Sequence, residues 1–372
     1  MNCRLILIVM ASFTVTAWAD PPRGIPHADV AQELRTLVRG EPEATRLWAT
    51  VESRAESYLG KEPQPVEVIF YEGLLDTDPR RVATVEALYD IMRVELWLSA
   101  WLITDEDRYA EAVTEYLLAW AGTYVPTGNP INENKLDPLL TATVALIDGL
   151  DDSAKEAVVP WLETMAEAEI RTASEMGWSV RNNWHPKRVK VVALIAEALD
   201  RDDWREWALE QTREYIAGVL YADGSSRDFK QRDALSYHIG GVRPLLRLIS
   251  LLPPEERRGL YFGETDDGAS VARSVAFLVP YVVGEKKHEE FRNTTVAMDR
   301  WRAEEGLARY QPGTLFEPRR AVSLFQLAAA FEPEYKELAA VAADKPGARF
   351  IDWTGVLAAA GWLIESSERE FE

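Results

Sequence analysis

The sequence predicts an all-α fold: an α/α toroid in which antiparallel helical hairpins form an incomplete barrel. Apolar residues recur at helical spacing in about a dozen stretches, and no run of alternating residues marks a set of strands. No low-complexity linker divides the chain. Polar breaks recur between the helix pairs at uneven spacing, which favours a toroid over a solenoid of equal repeats.

Local signals place the individual elements. Asp29 is a good N-cap for the first helix, Pro63 and Pro65 indicate an irregular segment over 61–71, and Pro253 with Pro254 ends a later helix. Breaks are expected at 125–134, 177–186, 221–226 and 284–288. The predicted helices are 29–38, 41–58, 81–102, 106–124, 136–150, 154–176, 187–199, 203–220, one continuing from the segment 227–238 to about residue 252, 268–283, 290–305, 318–331, 334–342 and 353–368.

Residues 1–19 have the features of a cleavable signal peptide. Arg4 supplies the positive charge, an apolar run follows, and the small residues before Asp20 predict cleavage after Ala19. The run is too short to span a membrane. Cys3 is the only cysteine, so the mature chain would hold no disulfide. We therefore expect a periplasmic or secreted protein, with residues 20–372 forming a single toroid domain.

The charge balance excludes one class of partner. The chain has 61 acidic residues against 41 Lys and Arg, a formal net charge of −20. Nucleic acid is not expected to bind, because it needs a basic surface. Against this background, local clusters of cations are informative. Two such clusters are Arg227/Lys230/Arg232 and Arg181/Lys187/Arg188/Lys190.

The segment 227–238 is the richest in reactive side chains. If its helix is continuous, Lys230 and Tyr237 share one face, while Arg232 lies about 140° away. A phenol beside a cation suits proton abstraction from a substrate that carries a carboxylate, although solvated charges at a helix start explain the pattern equally well. The segment contains Arg227, Lys230, Arg232, Tyr237 and His238.

Three other polar breaks carry candidate ligands, and in a toroid of hairpins such connections meet at one rim. In 181–186, Asn182 or Asn183 either caps a helix or presents an amide to an anion. His185 titrates near neutral pH, and Trp184 either stacks on a sugar or packs in the core. The segments 127–133 and 284–291 are ordinary turns or further parts of the site. They contribute Asn132, Glu133 and His288.

The order of these motifs resembles a known family. Asn182-Asn183-Trp184-His185, a helix pair, Asp223-Gly224 and the basic segment ending in Ala-Leu-Ser-Tyr-His resemble the core of mannuronate-lyase-type alginate lyases over about residues 178–252. The segments 127–139 and 285–291 are similar to the wider alginate lyase-like superfamily. The resemblance implies an α/α toroid that cleaves uronic-acid polymers without a cofactor.

The resemblance also implies site residues, with two departures from the family pattern. Trp184 separates His185 from the asparagine pair, and Lys230 stands where the family has an arginine. The implied catalytic residues are Asn183, His185, Tyr237 and either Arg232 or Lys230. The implied substrate-binding residues are Lys230, His238, Asn132, Glu133, Trp184 and His288.

The implied reaction is β-elimination. Asn183 and the cation neutralise the uronate carboxylate, which favours loss of the C5 proton. Tyr237 donates a proton to the leaving O4 or acts as both base and acid, and His185 is the other candidate base. A tyrosine titrates near 10, so a basic Tyr237 needs a neighbouring cation.

Two rival functions remain open. A glycoside hydrolase on the same fold needs two carboxylates, for which Asp223, Asp228 and Glu133 are available. A non-catalytic oligosaccharide-binding protein would use some of the 13 tryptophans for stacking. Four scattered histidines give no metal-ligand spacing, so no metal is expected. The identity of the uronan, endo or exo action and the oligomeric state are left open.

Overall fold

The computed structural model of the protein describes residues 25–364. The predicted signal peptide and residues 365–368 lie outside these residues, and the predicted helix 353–368 ends already at Ala359.

The described chain is built from helices. They are α1 (Ala28–Gly40), α2 (Pro42–Tyr58), α3 (Pro79–Thr104), α4 (Asp107–Thr123), α5 (Pro130–Glu133), α6 (Asp137–Leu146), α7 (Asp152–Glu175), α8 (Trp184–Ala198), α9 (Asp202–Val219), α10 (Arg227–Arg232), α11 (Leu235–Leu251), α12 (Pro254–Phe262), α13 (Val271–Ala276), α14 (Val279–Val282), α15 (Ala297–Glu304), α16 (Val322–Ala328), α17 (Tyr335–Ala342) and α18 (Trp353–Ala359). Short 3-10 turns lie at 134–136, 147–149, 179–181, 308–310 and 318–321. Two short antiparallel strands, β1 (Glu289–Glu290) and β2 (Thr314–Leu315), pair with each other.

The helices form two layers. Helices α3, α6, α8, α11 and α16 contact one another in that order and form the inner layer. Outer helices pack on them: α4 on α3, α7 and α9 on α8, α12 on α11, and α17 on α16. Helix α18 contacts α16 and also α1 and α2, so the two ends of the described chain meet. The predicted all-α toroid is confirmed.

The inner helices bury charge as well as apolar surface. On α8, Arg188 Nε lies 3.1 Å from a carboxylate oxygen of Glu169, and Lys190 Nζ lies 2.6 Å from Asp137. All four side chains are at most 2% exposed. A charge in this position must be paired, because an isolated buried ion is very costly. Arg188 and Lys190, which the sequence suggested as part of a cation cluster, therefore belong to the interior.

The predicted helices differ from the structure at a few prolines and turns. Pro254 begins α12 instead of only ending the preceding helix, because proline is tolerated at the first helical position. The predicted helix 268–283 is split into α13 and α14, and helix 290–305 begins only at Ala297. Helix α8 begins three residues before the predicted start, where Asn182 Oδ1 accepts a hydrogen bond from the Trp184 N–H at 2.9 Å.

Among residues 25–364, no helix combines the length and the apolar character that crossing a bilayer would require.

Candidate functional site

The predicted continuous helix through 227–238 is interrupted immediately before the candidate tyrosine. Ser226 caps α10, and α10 ends at Asp233, whose φ of 52° is left-handed. Ala234 is extended, and α11 then begins at Leu235. The expectation that Lys230 and Tyr237 share a helical face is therefore wrong, because the left-handed residue breaks the helical periodicity between them.

The interruption places Arg232, and not Lys230, beside Tyr237. The Arg232 guanidinium carbon lies 3.8 Å from the centre of the Tyr237 ring. Arg232 is already paired with two acids, because its Nη1 bonds Asp299 Oδ1 and its Nε lies 3.9 Å from Asp228. Its charge is thus held beneath the ring and is compensated there.

Lys230 lies at a different place on the surface. Its Nζ is 3.4 Å from Asp223 and 3.8 Å from the centre of the Tyr221 ring, and the side chain is 45% exposed. Its contacts tie α10 to the turn that precedes it.

The Tyr237 hydroxyl is held by two residues that the sequence reasoning did not identify. Arg302 Nη1 donates to Tyr237 Oη and to Tyr310 Oη, each at 3.1 Å, and the two phenol oxygens are 3.3 Å apart. Burial raises the pKa of Tyr237 well above its usual value, while Arg232 and Arg302 oppose this effect. The hydroxyl is therefore protonated in this structure and has two polar neighbours at its oxygen.

Arg302 differs from Arg232 in its partners. Within residues 25–364, no carboxylate forms an ion pair with the Arg302 guanidinium. Burial lowers its pKa, but the phenols of Tyr237 and Tyr310 and the acid Glu72 more than compensate, so that its pKa is raised. Arg302 is the uncompensated cation at the Tyr237 hydroxyl.

The segment 289–317, here called the cover segment, supplies Arg302, Tyr310 and Asp299. Its backbone is bound to the junction between α10 and α11: Phe291 N donates to Asp233 O at 2.8 Å, and Thr295 N donates to Gln231 O at 2.9 Å. A small apolar cluster of Phe291, Tyr310 and Ala234 packs beneath it. Arg302 lies in the predicted helix 290–305, but nothing in the sequence linked it or Tyr310 to Tyr237.

Asn183 packs against α11 about one helical turn beyond Tyr237. It is 8% exposed and stands before α8, against Gly240 and Gly241. A Cβ on Gly240 would lie 3.7 Å from the Asn183 amide nitrogen, and one on Gly241 would lie 2.9 Å from the Tyr215 hydroxyl. Gly241 thus leaves room for the Tyr215 hydroxyl, whereas the contact at Gly240 is an ordinary van der Waals contact.

Asp228 links Asn183 to Arg232. Its carboxylate accepts a hydrogen bond from the Asn183 backbone N–H, and Arg232 Nε lies 3.9 Å from its Oδ1. Burial raises the pKa of Asp228 to about 6, against the opposing effect of Arg232 and Lys187. This carboxylate fixes the relative position of two candidate catalytic residues.

His185 is enclosed in the interior. The residue is 1% exposed, its ring centre is 6.1 Å from that of Tyr215, and Nδ1 has no partner among the described residues. Burial, with a smaller contribution from Arg188, lowers its pKa to about 3. The imidazole is therefore neutral, and no described contact connects it to Tyr237.

The other two histidine candidates form hydrogen bonds with residues of the scaffold. His238 is fully buried, with Nδ1 2.9 Å from Ser226 Oγ and Nε2 2.8 Å from Ser274 O. Burial lowers its pKa to about 4. His288 Nε2 lies 3.0 Å from Asp233 O and supports the left-handed turn. Both histidines thus stabilise the α10–α11 junction around the candidate site.

A cleft lined by Asn132 and Trp184 lies beside the cover segment. Its volume is about 420 Å³, and Glu72, whose N–H donates to Asn132 Oδ1 at 3.1 Å, is also in its wall. Glu72 helps to raise the pKa of Arg302, the cation at the Tyr237 hydroxyl. Near this wall, Arg309 Nη2 of the cover segment lies 3.7 Å from Asp76.

Glu133 stabilises the loop behind this cleft. Its side chain is fully buried, and Oε1 accepts hydrogen bonds from Gly128 N at 2.9 Å and Tyr124 Oη at 3.1 Å. Beneath it, burial and the neighbouring Glu133 raise the pKa of Glu169 well above its usual value. Glu133 is thus positioned to hold the loop 127–133 in shape.

No group of three or more His, Cys, Asp or Glu side chains suited to a metal ion occurs in the described part of the chain.

Comparison with known proteins agrees with this architecture. The family model described as alginate lyase matches residues 61–288, more than half of the chain. No curated protein sequence gives a match. Because the family match ends at residue 288, Arg302 and Tyr310 lie beyond it.

Solved structures resemble the whole fold. An alginate lyase from Bacteroides ovatus superposes with a TM-score of 0.64 at 14% identity, covering 91% of this chain and 99% of that one. Alginate lyase A1-III from Sphingomonas species A1 gives 0.51 at 18% identity, covering 71% and 80%. A variant of A1-III complexed with a tetrasaccharide gives 0.52 at 18% identity, covering 70% and 79%. With the family match over 61–288, the chain belongs to the alginate lyase family of polysaccharide lyases.

Proposed function

We propose that this enzyme cleaves an alginate-like uronic-acid polymer by β-elimination and releases 4,5-unsaturated products. The observation that carries the proposal is the Tyr237 hydroxyl, which Arg302 and Tyr310 hold by hydrogen bonds above the Arg232 guanidinium. Asn183, immediately before α8, packs against α11 about one turn from Tyr237. A phenol among cations, beside an open cleft, suits proton transfer on an anionic sugar.

In this proposal the substrate carboxylate binds Arg302 and the Asn183 amide. Arg302 has no acid partner in the described chain, whereas Asp299 and Asp228 already compensate Arg232. A guanidinium binds a carboxylate with two parallel hydrogen bonds. Neutralising the carboxylate makes the C5 proton more acidic, because the negative charge that develops on deprotonation then meets fixed donors.

Tyr237 carries the proton in both directions. Tyr237 first loses its proton to solvent; the phenolate then takes the C5 proton, the C5–H electrons form the C4=C5 double bond, and the C4–O4 bond breaks. The resulting phenol then donates the same proton to the departing O4, so no other proton carrier is needed. Arg302 and Tyr310 donate hydrogen bonds to the phenolate, and Arg232 beneath the ring further lowers its energy. His185 is left without this role, since it is enclosed in the interior.

The surroundings of the three candidate carboxylates disfavour a glycoside hydrolase. Glu133 is fully buried among hydrogen bonds, and Asp223 accepts a hydrogen bond from Ser225 Oγ at 2.6 Å and pairs with Lys230 at 3.4 Å. Asp228 is 2% exposed. Hydrolysis needs two accessible acids at one site, and these three carboxylates do not provide such a pair.

We also propose that the enzyme is exported, that cleavage follows Ala19, and that residues 20–372 form one mature domain. The charged start, apolar run and small residues of 1–19 support this. The mass of the protein recovered from the periplasm or medium tests it: the proposal expects loss of residues 1–19, and an intact N-terminus contradicts it.

The experiment that tests the function uses purified protein with polymannuronate, polyguluronate, glucuronan and a neutral glucan. The proposal expects ultraviolet absorbance from an unsaturated product with at least one polyuronate and none with the glucan. The Tyr237→Phe variant serves as the inactive reference. Absence of the chromophore with every polyuronate, in folded wild-type protein, contradicts the proposal.

A further inference from the structure

We propose a second, anion-binding subsite in the groove formed by Arg181, Arg227, Gln231 and Trp178, which holds another uronate residue of the polymer. The inference rests on the proposed function and deepens it. The groove has a volume of about 450 Å³ and lies between the turn before α8 and the exposed side of α10; Gly177 and Asn182 complete its wall.

Its two arginines are available for a ligand. Neither guanidinium takes part in a hydrogen bond or an ion pair with any residue of 25–364, although Arg227 acts electrostatically on Asp228. The chain has a net charge of −20, so acids are plentiful, and many of the described cations have an acid partner. Arg188 and Lys190 are examples from the interior. Two unpaired guanidinium groups in one concave surface therefore form a local positive site for carboxylates.

The groove adjoins the candidate catalytic residues at two points. Asn182 in its wall precedes Asn183, and Gln231 precedes Arg232. Gln231 is also the residue whose carbonyl accepts the Thr295 N–H, so the edge of the groove is fixed to the cover segment. A polymer bound at Tyr237 can thus extend into the groove without leaving the surface.

Aromatic rings connect the groove with the cleft at Asn132. Trp178 lines the groove and is 58% exposed, which is unusual for so large an apolar side chain. Its ring meets that of Trp184 edge to face at 5.0 Å, and Trp184 lines the cleft. An exposed indole beside two arginines offers one apolar sugar face a stacking surface while the guanidinium groups bind the carboxylate.

The test measures binding and turnover in the same variants. In the Tyr237→Phe background, which prevents cleavage, the affinity for a defined oligouronate is measured by calorimetry for Arg181→Gln, Arg227→Gln and the double variant. Each single substitution is expected to weaken binding roughly tenfold, because it removes a hydrogen bond between a partly exposed guanidinium and a carboxylate. In the active enzyme the double variant should raise KM while kcat changes little, and its KM should depend less on salt.

Arg46→Gln is the matched control, since Arg46 is an exposed arginine on α2 without an ion pair in the described chain. It should leave affinity, KM and the salt dependence unchanged. Trp178→Ala should weaken binding without changing the salt dependence.

The outcomes separate the subsite from the proposed function. If the wild type produces unsaturated product and the double variant binds the oligouronate as tightly as the Arg46 control, the subsite is wrong and the proposed function stands. If the wild type neither binds nor cleaves any polyuronate, the proposed function fails and the subsite fails with it.

Discussion

The buried ion pairs of the inner helices and the charged cluster around Tyr237 use the same residue types but distribute their partners differently. In the interior, Arg188 faces Glu169, while Lys190 and the equally buried Arg247 both pair with Asp137, so each of these cations has an acid partner. Around Tyr237, both nearby acids lie on Arg232, and Arg302 is left with phenols. Matched pairs hold a fold together, whereas an unmatched cation at a cleft is free to bind an anionic substrate.

The largest effect should come from the phenol itself. Tyr237→Phe is expected to lower kcat by about 10³-fold, because it removes the group that transfers the proton. Tyr310→Phe removes one hydrogen bond to the Tyr237 oxygen while that from Arg302 remains, and should cost roughly tenfold. Initial rates of unsaturated product and circular dichroism spectra of both variants provide the measurement. Equal losses in the two variants would show that the phenols are not distinct in function.

Removing the unmatched cation should have the next largest effect. Arg302→Gln is expected to reduce kcat/KM by about 10²–10³-fold, because it removes a hydrogen-bond donor to the negative charge that develops in the transition state. Arg300→Gln is the control on the same helix, since Arg300 is exposed and donates to Thr294 O at 3.1 Å. The comparison fails if both variants keep wild-type rates.

Breaking a matched pair should affect stability instead of catalysis. Arg188→Met leaves Glu169 buried without its cation and is expected to cost about 3 kcal/mol of unfolding free energy. The double variant Arg188→Met/Glu169→Gln should recover part of this loss. Urea unfolding gives the free energies, and kcat of the folded protein should stay near wild type. A large loss of kcat without a loss of stability would contradict the assignment.

Asp228 predicts a pH dependence of stability. Folding raises its pKa to about 6, so its contribution is fully present below the ordinary aspartate pKa of about 4 and is lost as pH rises through about 6. The unfolding free energy of the wild type relative to Asp228→Asn should therefore decrease across this range. Asp223, whose pKa is lowered chiefly by its hydrogen bond with Ser225, should give the opposite sign in Asp223→Asn. A pH-independent difference for Asp228 would remove this assignment.

The smallest effect on the chemistry is expected at His185. Because its pKa is lowered to about 3 by burial, it should produce no step in the pH–rate profile near 6.5. His185→Gln should retain kcat within roughly tenfold, the cost of a single hydrogen bond to Gln211. Loss of activity comparable to that of Tyr237→Phe, in a folded variant, would restore His185 as the base.

The sequence predicted the fold class and most helices because apolar periodicity reports which face of each helix is buried. It also singled out Asn183, Arg232 and Tyr237, which the structure brings to one junction. It did not determine which cation accompanies the phenol, because a single left-handed residue, Asp233, changes the direction of every side chain after it. Helical geometry alone favoured Lys230.

Arg302 and Tyr310 were beyond prediction for a different reason. They approach Tyr237 only because the cover segment binds the α10–α11 junction through backbone hydrogen bonds at Asp233 and Gln231. Contacts between positions about 60 residues apart leave no periodic signal in one sequence. Likewise, nothing in the sequence distinguished the buried Arg188 from the exposed Arg181 seven residues before it.

Mass spectrometry of the wild-type products, recorded together with their ultraviolet absorbance, tests the central claim most directly. Elimination at Tyr237 predicts fragments whose masses add up to that of the starting oligouronate, with one fragment carrying the unsaturated chromophore. Fragments heavier in total by one water, without the chromophore, would mean hydrolysis and would contradict the account.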